Sequence, residues 1–263
     1  MAEGTVLVTG GTGTLGRPLV DRLLADGAAV RVMSRRPRRA EDERPYAWAV
    51  ADLTTGQGLD AAVEGVSVIV HCATSPRHEV ACTRRLIEAA ESAARRGGAA
   101  LPHLVYISIV GVDRNPFFYY RAKYAAERLI ATSPLPWTVL RATQFHDLLA
   151  GLVSAQRRLP VVVGAKGFRF QPVEVSEVAA RLAELAQGPP AGRVPDMGGP
   201  EIYTLGELTA MAQRATGARG RYVPLPLPGK AAAAFRRGVN LCPDRAVGTV
   251  TFGDYLAAGA GAR

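Results

Sequence analysis

The sequence predicts an α/β fold, a doubly wound parallel sheet followed by a small C-terminal capping region. Three observations predict it. Short β-branched runs alternate with amphipathic helical patterns through the first 140 residues. The helical stretches, about ten residues or more, demand parallel strand pairing through right-handed crossovers. A glycine-rich turn joins the first strand directly to the first helix.

Thr5-Val6-Leu7-Val8-Thr9 reads as a buried strand, apolar between glycines. Leu15, Leu19, Val20, Leu23 and Leu24 recur at helical spacing, and Gly27 stands where that helix ends. Residues 28–33 give the second strand and 46–51 the third. A glycine-rich turn and a short helix ending at Glu64-Gly65 follow. Residues 66–70 form the fourth strand, 80–96 a long helix, and 104–109 and 137–141 two further strands around a helix at 119–131. After Arg141 the pattern loosens. Strands at 161–163 and 168–173 alternate with helices at 177–186 and 205–216, and Pro and Gly cluster at 188–190 and 224–229. The reading is residues 1–143 as the nucleotide-binding domain and 144–263 as a capping region interleaved with it in one structural unit, over the carboxyl edge of the sheet.

The chain has 263 residues, 48% hydrophobic and 21% charged, an ordinary globular composition with ample length for a dry core. No apolar run reaches the roughly 18 residues of a membrane span. The first ten residues enter a strand pattern without the basic and apolar regions of a secretory signal. Three cysteines, Cys72, Cys82 and Cys242, without a CxxC pair argue against a disulfide framework and a structural zinc. No other metal site is expected, because His78-Glu79 lacks the second histidine of HExxH. The reading is a cytoplasmic protein. A net charge of +9 says little about partners by itself, and neither nucleic acid nor membrane is expected. Association between like chains is left open. Lys123, Lys166 and Lys230 are the only lysines, a skew toward arginine that reads as codon bias and makes each lysine informative.

Gly10, Gly13 and Gly16 give GxxGxxG between the first strand and the first helix. Glycines there let the backbone turn sharply and approach a pyrophosphate, which the helix N-terminus stabilises. Thr12, Thr14 and Leu15 belong to the same turn. The second strand ends in Met33-Ser34-Arg35-Arg36, where an NAD site would carry an acidic residue. Arginine instead receives a 2′-phosphate, so NADP(H) is the cofactor expected, with Ser34, Arg35 first and Arg36 second. Arg38 and Arg39 read as solvated. Asp52-Leu53 ends the third strand, with Asp52 either accepting from the adenine amine or capping a helix. Cys72-Ala73-Thr74 follows the fourth strand, where small residues leave room for the nicotinamide ribose.

Ser108 ends the fifth strand, and Tyr119-Tyr120-Arg121-Ala122-Lys123 follows. Tyr119 and Lys123 stand at i and i+4, on one face of a helix. A phenol is a poor acid near neutrality unless a cation stabilises its phenolate, which Lys123 could do while holding ribose hydroxyls. Ser108 could hydrogen-bond the substrate oxygen.

On VTGGTGTLG, SRR, Ala51-Asp52, HCAT, ISIVG, YYRAK and LRATQFHD the chain resembles the atypical, NmrA-like short-chain dehydrogenase/reductases, through about residue 185. The resemblance implies a Rossmann domain, NADP(H), and reduction of a ketone, enone or related group. It assigns Gly10, Gly13 and Gly16 to the phosphates, Arg35 to the 2′-phosphate, and Ser108, Tyr119 and Lys123 to the chemistry. Tyr119 donates the proton in this register, and Tyr120 in the register one residue on. Phe117, Phe118, Tyr120, Phe145 and Phe168 would line the cleft mouth for a flat hydrophobic ketone or quinone of secondary metabolism, or else pack against each other. Gln144 and His146 belong to the same segment, His146 either touching substrate or packing. The function expected is an NADPH-dependent reductase. A catalytically silent NADP(H)-sensing regulator is the first alternative, and a sugar-nucleotide epimerase or dehydratase the second.

Overall fold

A computed structural model describes residues 4–156 and 158–261. Residues 1–3 of the expected nucleotide-binding domain, and Arg157 and residues 262–263 of the expected capping region, lie outside the described residues. The chain forms two compact units, neither of them continuous in sequence. One comprises the chain up to Ser108, then Ala122–Leu140 and Val178–Val194. The other comprises Ile109–Arg121, Arg141–Glu177 and the chain from Pro195 onward.

The elements in order are β1 (Thr5–Thr9), α1 (Gly16–Ala25), β2 (Ala29–Ser34), β3 (Ala47–Val50), α2 (Leu59–Val63), β4 (Val66–His71), α3 (Glu79–Gly97), β5 (His103–Ile109), α4 (Phe118–Ala131) and β6 (Trp137–Ala142). They continue as α5 (His146–Ser154), β7 (Val161–Ala165), β8 (Arg169–Phe170), α6 (Val175–Gln187), β9 (Gly192–Arg193), β10 (Tyr203–Thr204), α7 (Leu205–Thr216), β11 (Arg221–Leu225), α8 (Lys230–Arg236) and α9 (Phe252–Gly261).

Seven strands form one sheet in the order β3-β2-β1-β4-β5-β6-β9. Val8 pairs in parallel with Val32 on one side and Val70 on the other. Strand order reverses between β1 and β4, the switch point where doubly wound sheets bind dinucleotides. The strands are continuous apolar runs because both sheet faces are covered. Leu7, Ile69, Leu86, Leu104, Tyr106 and Ile130 lie in one core. Leu19, Val20 and Leu23 face inward from α1, and Gly27 at φ +79° turns the chain back into β2.

The second unit holds two small sheets, a parallel β7–β11 pair and an antiparallel β8–β10 pair. One expectation needs correcting here, the strand at 168–173. Pro224 lies within β11, opposite Gly164. A two-stranded sheet leaves one side of β11 without a ladder partner, so the missing proline N–H costs nothing there. Of the strand expected at 168–173, only Arg169 and Phe170 form one. Beyond them side chains replace the ladder: Gln171 donates to the Gly199 carbonyl at 2.8 Å and accepts from the Cys242 amide at 2.8 Å. Leu149, Phe170, Leu205, Leu208 and Phe252 form this unit's core. Among the described residues no helix is long and apolar enough to cross a membrane.

Candidate functional site

The glycine turn is built at close quarters. Gly10 has φ +68°, and a Cβ there would lie 2.8 Å from the Ala73 nitrogen. A Cβ on Gly16 would lie 2.1 Å from the Gly10 carbonyl oxygen. Only glycine fits either position, and the first contact sets the turn directly against the end of β4. No side chain caps the N-terminus of α1, and Thr12, Gly13 and Thr14 are exposed while Leu15 is buried. Amides at a helix start that no side chain caps suit an anion.

Beside the turn lies a cleft of about 900 Å³, lined by Thr12, Arg17, Ser34, Arg36, Arg39, Arg44 and Trp48 among others. Arg36 opens onto this cleft, whereas Arg35 is exposed outside its lining. Trp48 Nε1 donates to the Arg36 carbonyl at 3.1 Å, fixing the backbone there. Acidic Glu41, Asp42 and Glu43 also reach the cleft. The Arg44 guanidinium, and then the Tyr46 hydroxyl, hold the Asp42 carboxyl well below the usual carboxylate range. Arg38 is half-buried and held rather than freely solvated. It lies over the Tyr46 ring at 4.6 Å and donates to the Tyr46 carbonyl at 3.1 Å. Arg17, Arg44 and Trp48 gave no sequence signal, since only the folded loop brings them together.

Asp52 Oδ1 accepts from the Thr54 amide at 2.7 Å, shaping a turn. The helix-cap alternative fails, because α2 starts after Gly58. Leu53 is buried in the core. Cys72 is half-buried, and burial pushes its thiol up to about 12. Thr74 Oγ1 donates to Glu79 at 3.0 Å.

Lys123 is buried in the first unit, 3.0 Å from the Glu79 carboxylate, and donates to the Ile107 carbonyl at 3.0 Å. Glu79 was missed by the sequence reading. Burial works to raise its pKa, but Lys123, His71 and the Ser75 amide outweigh it and leave the carboxyl well below its ordinary value. Ser108, also in the first unit, is buried, and among the described residues its hydroxyl has no hydrogen-bond partner.

Tyr119 lies in the second unit, half-buried. Tyr120 is buried there, its hydroxyl accepting from Gln144 Nε2 at 3.3 Å, and burial raises its pKa. Asn240 donates to the Gln144 side-chain oxygen at 3.4 Å. The aromatic residues of this unit pack on one another: Phe117 on Phe118 and Phe235, Tyr120 on Phe235, Phe168 on Phe235. Phe118 keeps 62% of its surface exposed, and Phe145 is half-buried at the start of α5. His146 is 0% exposed, stacked on Tyr255 and 3.2 Å from the Val250 carbonyl. Of its two readings, this is the packing one. Among the described residues no cluster of His, Cys, Asp and Glu could hold a metal.

A family model described as NAD(P)H-binding matches residues 10–189. The (4-alkanoyl-5-oxo-2,5-dihydrofuran-3-yl)methyl phosphate reductase of Streptomyces griseus is 29% identical over 228 residues, 84% of this chain and 77% of that protein. The NADPH complex of an Escherichia coli NADPH-dependent quinone oxidoreductase superposes with TM-score 0.81 at 19% identity, covering 96% of this chain and 99% of that one. A Staphylococcus aureus nucleoside-diphosphate-sugar epimerase superposes with TM-score 0.76 at 18% identity, covering 96% and 99%. At these identities the two structures show a shared fold.

Proposed function

The chain belongs to the NAD(P)H-binding family, and from that premise we propose that it is an NADPH-dependent reductase acting on a carbonyl, enone or quinone-like small hydrophobic substrate. One observation carries the reading: the glycine turn, the uncapped start of α1 and the Arg36 cleft adjoin one another in a single unit. That donor set suits a pyrophosphate beside a 2′-phosphate. The reductase activity named for the Streptomyces griseus relative supports the reaction class.

When bound, NADPH supplies the hydride. The amides of Thr12, Thr14, Leu15 and Gly16 would hold the pyrophosphate, with the Gly13 amide donating to the Gly10 carbonyl at 2.9 Å, and Ser34 with Arg36 and Arg35 would receive the 2′-phosphate. Asp52 accepts from the adenine amine. Cys72, Ala73, Thr74 and Lys123 flank the nicotinamide ribose. Ser108, whose hydroxyl has no partner among the described residues, is the hydroxyl assigned to the substrate, and Tyr119 of the second unit is assigned as proton donor, through a phenol that Tyr119→Phe removes while keeping the ring.

The test is a titration with NADPH and NADH, followed by a panel of quinones, enones and ketones read at the NADPH absorbance. NADPH should bind at least 10-fold tighter than NADH and be consumed with an apolar acceptor. Tyr119→Phe should lower kcat by about 10²- to 10⁴-fold and leave NADPH affinity unchanged. Equal affinity for the two cofactors sinks the NADPH reading. Tight NADPH binding without consumption favours the sensor.

A further inference from the structure

We infer that Glu79 is the positioning residue for Lys123: its buried carboxylate fastens the ammonium and the Thr74–Ser75 turn to one point, fixing the lysine's charge where the cofactor ribose is to be met. The inference rests on the NADP(H) reading above. The two side chains are 1% and 4% exposed and 3.0 Å apart. One carboxylate oxygen also accepts from the Tyr106 hydroxyl at 2.8 Å, and the other from Thr74 Oγ1 at 3.0 Å and the Ser75 amide at 2.8 Å. Lys123 Nζ lies 4.3 Å from the Tyr106 ring centroid. The β4–α3 turn, α3, β5 and α4 thus converge on one carboxylate.

A buried ion pair is a poor way to gain stability, because desolvation of both charges offsets their attraction. The Glu79 pair does something else. An ammonium in so dry a place sheds its proton unless an anion faces it, and Glu79 is that anion. The other titratable groups of the cluster are His71 from β4, Tyr106 from β5 and Cys72 after β4. Burial lowers His71 to about 4, raises Cys72 to about 12 and raises Tyr106 further. None of them changes charge between about pH 6 and pH 10, so a titration in that window reports on Lys123.

With three lysines in the chain, selective isotopic labelling gives three side-chain NMR signals, and Lys123→Arg identifies the one to follow. Signal and NADPH affinity are read against pH in wild type and Glu79→Gln. In Glu79→Gln the Lys123 signal should titrate at a pH lower by about one or more. NADPH affinity should match wild type near pH 6 and fall about 10-fold one pH unit above the variant's Lys123 midpoint. An unchanged Lys123 titration overturns the proposal, and so does a shifted titration with pH-independent NADPH affinity. If wild type fails to bind NADPH at any pH, the cofactor reading falls, while the lysine signal still judges the pairing. Should Glu79→Gln not fold, wild type decides. A wild-type Lys123 signal already that of the neutral amine at pH 7 would overturn the proposal, since a carboxylate 3.0 Å away favours the charged form.

Discussion

Adjacent arginines are chemically equivalent until the backbone aims them, and here it aims Arg36 into the cleft and leaves Arg35 outside the lining. Arg36→Ala should therefore weaken NADPH by about 10- to 100-fold, the worth of charged hydrogen bonds, while NADH binding stays level. Arg35→Ala should do less; fluorescence titration of both variants with both cofactors checks this. The glycine turn was legible because no other residue meets a positive φ and a 2.1 Å approach. The choice between the arginines was not, since one residue of loop direction decides it and Trp48 sets that direction from another strand. Glu79 was hidden for a similar reason. Read locally, it is an acidic residue in the first turn of a helix; its partners Tyr106 and Lys123 come from β5 and α4. His146 follows β6 as a cleft residue would, yet Phe252 and Tyr255, brought by α9, enclose it.

Long apolar strands and amphipathic helices were readable because their periodicity is set by burial on their own faces. The two-residue strands β9 and β10 carry too little pattern to read, and β8 is shorter than the strand its sequence suggests. Between elements, His71 acts as a fastener: it ends β4 and meets Thr9 of β1 at 2.7 Å and Thr83 of α3 at 3.4 Å. Burial lowers its pKa to about 4, so the folded protein keeps it neutral where the unfolded chain, near 6.5, takes up a proton. The unfolded state then binds more protons between those values, and stability falls as pH drops from about 6.5 to 4, by roughly 3 kcal/mol from this group. Urea midpoints measured across that range should show the decline. His71→Gln, less stable at neutral pH, should show a shallower one.

At the scale of the whole molecule, each unit is assembled from separated stretches of chain. The first unit takes back residues Val178–Val194, which bring most of α6 and the strand β9 that pairs with β6. A fragment ending at residue 143 lacks both, so it should melt without a cooperative transition by circular dichroism and bind NADPH poorly, while the full chain does neither. The same pairing sets an order of events during synthesis. Thr138 and Val139 wait for Gly192 and Arg193, residues the ribosome adds about 3–10 s later at ordinary elongation rates. Until then the emerging sheet presents an open strand edge, the template on which nascent chains pair with each other. Faster expression puts more such edges in the cell at once, so slow, cool induction should raise the soluble yield of this protein.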